Sequence, residues 1–197
     1  MFRKINSALE DLKTEDHSYE IILGKYEDSV FNTTFKKKTF LELKKKMEKK
    51  KDFEVSFEME KHYINFNQTV IVNNKGEKRM LEREGLQKLD IKTSVYDLKL
   101  YQYLEKDMEH IFLPNNYHSI NRINNIVFDN DIYKVSFRLT TNELAKVKKP
   151  FFSVHFVCKN KVKVSKKNPL RTMLKDIEKL MDTKEVILTQ NDIKSII

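Results

Sequence analysis

The sequence is poor in the residues that mark secreted, modular or membrane-spanning proteins. It has a single cysteine, Cys158, so no internal disulfide can form, which is typical of a reducing compartment. Three glycines and three prolines among 197 residues leave no Gly/Ser linker, internal repeat or low-complexity tail. No apolar run reaches the ~20 residues that cross a bilayer, and the N-terminus lacks the apolar region of a signal peptide. We therefore expect one domain over residues 1–197 that is soluble, intracellular and without a membrane partner.

Several common catalytic and binding motifs are also missing. The five histidines have no zinc-like spacing and no cysteine companions, which favours structural roles for them. Gly24-Lys25 lacks the rest of a P-loop and is not a nucleotide motif by itself. No Ser/His/Asp or Cys/His constellation stands out, and Cys158 lies in an apolar run where packing is its common role. These short motifs do not assign an activity.

The chain does have an excess of positive charge. Lys and Arg outnumber Asp and Glu by 38 to 29, which gives a net charge of +9 and a pI near 9.3. This balance favours polyanions such as nucleic acid or nucleotide phosphates as partners. The lysines within residues 44–51 are expected to form the solvated face of a helix, with a dedicated RNA patch as the alternative.

Three segments have helical spacing. Apolar residues recur at this spacing over residues 2–12, which predicts a short amphipathic helix before the first strand. Thr39 is predicted to cap a second helix, and Asn168-Pro169 gives a cap and a first-turn proline for a third. The apolar stripe of the second helix comprises Phe40, Leu43 and Met47. The apolar stripe of the third comprises Leu170, Met173, Leu174, Ile177, Leu180 and Met181.

Between these helices the pattern changes to alternation, which is typical of strands. Residues 53–60, 96–105 and 133–140 alternate apolar with polar side chains, and residues 73–76 and 129–131 have the composition of hairpin turns. We expect an α+β fold, a mostly antiparallel β-barrel flanked by a few helices. Periodicity alone leaves open a second interpretation, an antiparallel sheet with one solvated face, beside a barrel with a polar interior.

Five segments of the sequence occur in the same order as the motifs of a known protein family. They are residues 18–25, 96–105, 121–128, 136–140 and 153–156. In this order they resemble the motif strands of the triphosphate tunnel metalloenzymes, specifically the RNA 5′-triphosphatase domain of the mRNA-capping enzymes of large DNA viruses. The first segment resembles Glu-x-Glu-x-Arg-x-Gly-Lys, and the second resembles Tyr-Asp-x-Arg-x-Ser-x-Ser-x-Glu. The similarity covers about residues 2–182, although no single motif is intact.

The resemblance implies a site and a chemistry. In such enzymes carboxylates from opposing strands hold a divalent metal ion, cationic side chains bind the triphosphate, and water attacks the γ-phosphorus. Glu20 and Glu105 match acidic positions and are implied as catalytic residues and metal ligands. The implied cofactor is Mg²⁺ or Mn²⁺ if the chain is active, and otherwise none. The matched phosphate-binding positions are Lys25, Lys99, Arg122 and Arg138.

Departures from the family pattern argue against full activity. The first Glu-x-Glu pair is reduced to Glu20, and the last is replaced by Ser153 and His155. Ile22 stands in place of an arginine, and Arg138 in place of an aspartate. Since losing one electrostatic catalytic group commonly costs ~10²–10³ in rate, we favour a degenerate fold over an active, divergent metal-dependent polynucleotide 5′-triphosphatase.

The implied function is that of an RNA 5′-triphosphatase-like protein linked to mRNA capping, which binds RNA 5′ ends or nucleotide triphosphates. The alternative is a non-catalytic structural subunit of a viral transcription or capping assembly, or of a virion. If the chain is viral, we expect it in the cytoplasm of the infected cell or in the virion. A different register would make Glu58-Met59-Glu60-Lys61 the Glu-x-Glu-x-Lys strand.

Overall fold

The computed structural model describes residues 17–66, 68–82, 89–93, 96–107, 117–158, 169–181 and 186–188, which form eleven strands and two helices. The predicted helix over residues 2–12 and the predicted cap Asn168 lie outside these ranges. The helices are α1 Lys37–Glu48 and α2 Pro169–Met181. The strands are β1 His17–Glu27, β2 Val30–Asn32, β3 Glu54–Asn65, β4 Gln68–Asn73, β5 Lys78–Glu82, β6 Leu89–Thr93, β7 Asp97–Asp107, β8 Ser119–Asp129, β9 Tyr133–Asn142, β10 Phe151–Cys158 and β11 Val186–Leu188.

The strands form one antiparallel sheet in the order β11-β6-β7-β5-β4-β3-β8-β9-β10-β1-β2. The sheet as a whole is not closed, because β11 and β2 lie at its two ends. Within it, however, β1 pairs with both β10 and β7. Eight strands therefore pair in a circuit that runs β1-β7-β5-β4-β3-β8-β9-β10 and returns to β1. The predicted antiparallel barrel flanked by helices is confirmed.

The hydrophobic core lies between the outer wall of the barrel and the helices. It forms because alternating strands direct their apolar residues outward, where α1 and α2 cover them. Phe40, Leu43 and Met47 of α1 are buried in it, as their spacing predicts. Cys158 packs there too, and burial raises the pKa of its thiol to about 11, which fits the predicted packing role. Other buried members include Leu23, Leu98, Tyr133, Val135, Phe156, Met173 and Ile177.

Helix α1 begins earlier than its sequence suggests. Thr39 was the predicted cap, but the N-cap is Lys36, which is extended and has no side-chain capping bond. The reason is that Phe35 is held by Phe152 of β10, to whose carbonyl it donates a backbone hydrogen bond of 2.8 Å. The chain therefore turns into the helix directly after Phe35, and the prediction for Thr39 was wrong.

Two predicted turns and one glycine shape the strand ends. Asn73 ends β4, and Gly76 has a φ of 82°, a value that glycine adopts without strain. The side-chain oxygen of Asn130 accepts hydrogen bonds from the backbone N–H groups of Ile132 and Tyr133. These bonds stabilise the predicted turn between β8 and β9. Gly24 is required for another reason, since a Cβ there would lie 2.5 Å from the backbone oxygen of Asn32 in β2.

Part of the outer wall is left uncovered in the described structure. Val55, Phe57 and Met59 alternate along β3 as predicted, yet their exposed fractions are 62%, 61% and 46%. We call these three residues the β3 strip. They share an outward face, while Glu60 and His62 of the same strand are buried. Neither described helix is long and apolar enough to cross a membrane.

Candidate functional site

The inward-facing residues of the barrel line a central cavity of about 210 Å³. Its wall is drawn from β1, β3, β4, β5, β8, β9 and β10, so the circuit of strands encloses it. Apolar residues such as Ile22 and Ile123 make up much of the wall. Its charged and hydrogen-bonding members include Glu20, His62, Arg79, Arg138, Ser153 and His155.

A second cavity of about 470 Å³ adjoins the first and shares Ile71 and Arg79 with it. We call it the mouth cavity. It is strongly polar, and the charged residues that line it are Glu58, Glu60, Lys75, Glu77, Lys78, Arg79 and Lys134. A ligand that extends from the mouth cavity into the central cavity would therefore pass between lysines and glutamates before it reached the interior.

Glu20 is held by two partners from neighbouring strands. Its Oε1 lies 2.8 Å from Nδ1 of His155 and 3.2 Å from an Nη of Arg138. Their side chains are 11%, 11% and 15% exposed, so this cluster is largely shielded from solvent. Strand pairing creates the cluster, because β10 lies between β1 and β9 and all three residues point inward.

His155 also contacts a serine on its own strand. Its Nε2 lies 2.9 Å from Oγ of Ser153, two residues earlier on the same face of β10. Burial, and then the nearby Arg138, lower the pKa of His155 to about 4, so the ring is neutral at pH 7. Oε1 of Glu20 can only accept and lies 2.8 Å from Nδ1, whereas an Nη of Arg138 can only donate and lies 3.1 Å from the same atom. We assign the ring proton to Nδ1 because the contact with Glu20 is the shorter of the two. Nε2 is then the acceptor for the Ser153 hydroxyl.

Glu60 forms a second buried cluster. Its Oε2 lies 2.8 Å from Nε2 of His62, and its Oε1 lies 2.9 Å from an Nη of Arg79. Burial alone would raise the pKa of Glu60, but the hydrogen bond from His62 and the charge of Arg79 lower it to about 2. Burial in turn lowers the pKa of His62. Both oxygens of Glu60 are thus engaged by the protein's own side chains.

Arg138 has a donor with no acceptor. One Nη of its guanidinium pairs with Glu20 and the other lies 3.1 Å from Nδ1 of His155, but the Nε–H is buried and has no hydrogen-bond partner among the described residues. An unpaired buried donor is costly, commonly by about 1–3 kcal/mol, so such groups call for an explanation. A guanidinium with an unused donor in a cavity wall is suited to an anion, and phosphate oxygens match its planar geometry.

The described residues do not fit a divalent metal ion. Mg²⁺ and Mn²⁺ take oxygen ligands, several of which must come from the protein or its substrate. In the described ranges, no group of three or more His, Cys, Asp or Glu could hold such an ion. Glu20 is committed to Arg138 and His155, and Glu60 to His62 and Arg79. Glu20 and Glu60 therefore each pair with a guanidinium and an imidazole.

The structure brings only some of the predicted site residues together. Glu20 and Arg138 meet in the central cavity. Lys99 faces inward opposite Ile22, but its Nζ lies within 5.3–6.0 Å of the ring centres of three aromatic residues. Glu105 lies on β7 opposite Leu81, and its side chain is outside the described part of the structure.

The other two predicted phosphate-binding residues lie away from the cavity. Lys25 is exposed near the end of β1, opposite Asn32. Arg122 points outward from β8, is 66% exposed and pairs with Glu143 at 2.8 Å. The alternation of β8 explains this placement, since Asn121 and Ile123 are the residues of that strand that face the central cavity.

Comparison with known proteins identifies the architecture. The sequence matches no family model and no curated protein. The structure of the S. pombe Pct1 RNA triphosphatase superposes with a TM-score of 0.69 at 10% identity, over 93% of this chain and 92% of that chain. This chain has the triphosphate tunnel fold. The barrel interior is therefore the tunnel of that fold.

Two further structures have the same fold. Pct1 in complex with the Spt5 CTD has a TM-score of 0.64 at 9% identity, over 93% of each chain. The Mimivirus capping enzyme triphosphatase has a TM-score of 0.59 at 8% identity, over 93% of this chain and 96% of that chain. The fold that the ordered motifs implied is thus confirmed at identities far too low to transfer an activity.

Sequence reasoning missed several tunnel residues. Arg79 and His62 carry no motif, and their positions depend on strand register. Ser153 and His155 did carry a signal, since they occupy alternate positions where the family has its last Glu-x-Glu pair. Glu60 was considered only as part of the alternative motif, and the structure places it inside the barrel wall, where it is 7% exposed.

The Glu60 cluster predicts a pH dependence of stability. The folded-state pKa of Glu60 lies below the ordinary value of 4.5, so ionised Glu60 stabilises the fold above pH 4.5. This contribution should decline as the pH falls from 4.5 towards 2. At pH 7, Glu60→Gln should lower the free energy of unfolding by about 1–3 kcal/mol, and the difference from wild type should shrink across that acid range.

Urea unfolding at a series of pH values measures this effect. Glu58→Gln is the matched control, because it removes a mouth-cavity carboxylate from the same strand and leaves the Glu60 cluster intact. A gap between wild type and Glu60→Gln that stayed constant from pH 7 to pH 2.5 would show that Glu60 makes no such contribution.

Proposed function

We propose that this chain binds the 5′-triphosphate end of RNA, or a nucleoside triphosphate, inside the tunnel, without the carboxylate-held metal of an RNA triphosphatase. The unpaired Nε–H of buried Arg138 is the observation that carries this proposal. Phosphate oxygens would accept from it, and the guanidinium can present two parallel donors to one phosphate group. The RNA triphosphatase names of the structural neighbours support this ligand class.

The charge at the mouth of the tunnel supports the same ligand. Four basic residues line the mouth cavity against three glutamates, and the whole chain carries a net charge of +9. The basic residues are Lys75, Lys78, Arg79 and Lys134. Positive charge around an opening steers anions towards it and raises the association rate. A linear polyphosphate entering this way would reach Arg79 and then Arg138. We infer a function linked to mRNA capping, because one structural neighbour is the triphosphatase of a capping enzyme.

The experiment compares two RNAs that differ only at the 5′ end. Wild-type protein should bind triphosphate-ended RNA at least about tenfold more tightly than the 5′-hydroxyl form in EDTA, and binding should weaken as salt rises. Arg138→Gln should weaken binding of the triphosphate form by about 10–100-fold, because it removes the buried guanidinium. Fluorescence anisotropy measures both affinities.

Arg122→Gln is the matched control for Arg138→Gln. It removes the same charge from the outer face of the barrel, where Arg122 is 66% exposed, and should change the affinity less than about twofold. Equal affinity for the two RNA ends, or equal losses in the two variants, would mean that the tunnel is not the binding site.

The β3 strip favours a second candidate, a subunit that docks on a capping or transcription protein. Residues 54–64 of β3 pair with β8, whereas β4 pairs only with residues 60–65. Among the described strands, none pairs with the other edge of residues 54–59, so a further strand could pair there. An extended segment of the partner could pair there and cover the β3 strip.

This candidate predicts a separable variant. Val55→Asp should abolish co-purification with an identified capping or transcription subunit, because it places a charge in the β3 strip. The same variant should bind triphosphate-ended RNA as wild type does. Unchanged co-purification would contradict docking at the β3 strip.

A further inference from the structure

A serine, a histidine and a glutamate stand in line in the wall of the central cavity. Oγ of Ser153 lies 2.9 Å from Nε2 of His155, and Nδ1 of His155 lies 2.8 Å from Oε1 of Glu20. All three residues are buried and line the same cavity. Two of them alternate on β10, and the third comes from β1, which pairs with β10.

The roles of the two ring nitrogens follow from these contacts. Nδ1 donates a hydrogen bond to the carboxylate of Glu20 at 2.8 Å, its shorter contact, and an Nη of Arg138 lies 3.1 Å from the same nitrogen. Glu20 therefore orients the ring and favours the tautomer with the proton on Nδ1. Nε2 then has a lone pair directed at the Ser153 hydroxyl. A hydroxyl, a base and an orienting carboxylate in this sequence of contacts form the arrangement that activates a serine nucleophile.

The surroundings of Ser153 select the kind of electrophile. Arg138 lies directly opposite Ser153 in the pairing of β9 with β10, so its guanidinium reaches the same part of the cavity. A guanidinium matches the oxygens of a transferring phosphoryl group.

We propose that Ser153 is a nucleophile that accepts the terminal phosphoryl group of a nucleoside triphosphate or of triphosphate-ended RNA. His155 is the general base, Arg138 binds the phosphoryl oxygens, and Glu20 is a positioning residue. The identity of the phosphoryl donor rests on the proposed function above. Nothing in the fold or in its neighbours' names assigns a nucleophile to this wall.

The proposed transfer has two steps, phosphorylation of Ser153 and hydrolysis of the phosphoserine. The Oγ–P bond forms as the bond from the γ-phosphorus to its bridging oxygen breaks, and the diphosphate leaves with that electron pair. The Ser153 proton passes to Nε2 of His155, which releases it to solvent. Water then attacks the phosphoserine, its proton goes to His155, and the Oγ–P bond breaks. Phosphate is released, His155 returns the proton to Oγ, and no oxidant or reductant is consumed.

The test looks for the covalent phosphoserine. Full-length protein is mixed in EDTA with ATP or triphosphate-ended RNA carrying ³²P at the γ-position, and the reaction is stopped with acid at intervals from milliseconds to hours. Peptide mapping should place the label on Ser153. Ser153→Ala should reduce labelling at least about 100-fold, and His155→Gln should slow labelling of Ser153 by about the same factor.

Ser136→Ala is the matched control, because Ser136 is a buried serine directly opposite His155 on β9. It should keep wild-type labelling, and thermal melts should show all three variants folded. Label on another residue, or equal labelling of wild type and Ser153→Ala, would overturn the proposal.

Binding measured on the same samples separates this proposal from the proposed function. Triphosphate-ended RNA that binds in the tunnel without labelling the protein at any time would overturn the nucleophile alone. Absence of binding would overturn both proposals. Labelled Ser153 together with equal binding by wild type and Ser153→Ala supports both.

Discussion

Replacing Phe137 with alanine should lower the free energy of unfolding by about 3–5 kcal/mol. Phe137 is 1% exposed and lies on the outer wall of the barrel. Its ring centre is 5.4 Å from that of Phe40 in α1 and 5.5 Å from that of Phe128 in β8. The truncation would remove contacts between α1 and the sheet and leave a cavity that rigid strands cannot close.

Phe57→Ala is the matched control for Phe137→Ala. Phe57 is the same residue type on the outward face of β3, yet it is 61% exposed and lies in the β3 strip. Its replacement should change stability by no more than about 0.5 kcal/mol. Urea unfolding at pH 7 measures both values. Similar losses in the two variants would mean that the core does not lie between the barrel wall and the helices.

Replacing Glu20 with glutamine should have an effect of similar size for an electrostatic reason. Arg138 is only 15% exposed at its side chain, and Glu20 is its carboxylate partner at 3.2 Å. Removing one member of a buried ion pair commonly costs about 3–5 kcal/mol, since the other charge stays buried without compensation. Glu20→Gln should therefore melt well below wild type.

An added anion should recover part of that stability. Inorganic triphosphate can take the place of the lost carboxylate beside Arg138, so it should raise the melting temperature of Glu20→Gln more than that of wild type. Glu58→Gln, which removes a carboxylate from the mouth cavity, is the control and should behave as wild type does. Equal ligand-induced shifts in wild type and Glu20→Gln would show that triphosphate does not bind beside Arg138.

Local patterns were sufficient to predict most of the scaffold. Alternation in β3, β7 and β9 placed polar residues on one face, and the spacing of Phe40, Leu43 and Met47 identified the buried side of α1. These features depend on neighbours in the chain, so the sequence carries them directly. The same patterns left open whether the strands close into a barrel covered by helices or form an antiparallel sheet with one solvated face.

Contacts between distant strands could not be predicted in the same way. Glu20 and His155 are separated by 135 residues, and their contact depends on the register of β1 against β10. A shift by one residue would turn one of them out of the tunnel. The exposure of the β3 strip was hidden for a similar reason, because alternation identifies a face but not what covers it.

The affinity of Glu20→Gln for triphosphate-ended RNA, measured with EDTA and again with Mn²⁺, tests the central claim most directly. In our account the Glu20 carboxylate competes with phosphate for Arg138. Removing its charge should tighten binding about tenfold, and wild type should bind equally well with and without Mn²⁺. If Glu20 instead holds a metal ion, wild type will need Mn²⁺ to bind and Glu20→Gln will lose binding, which would contradict the account.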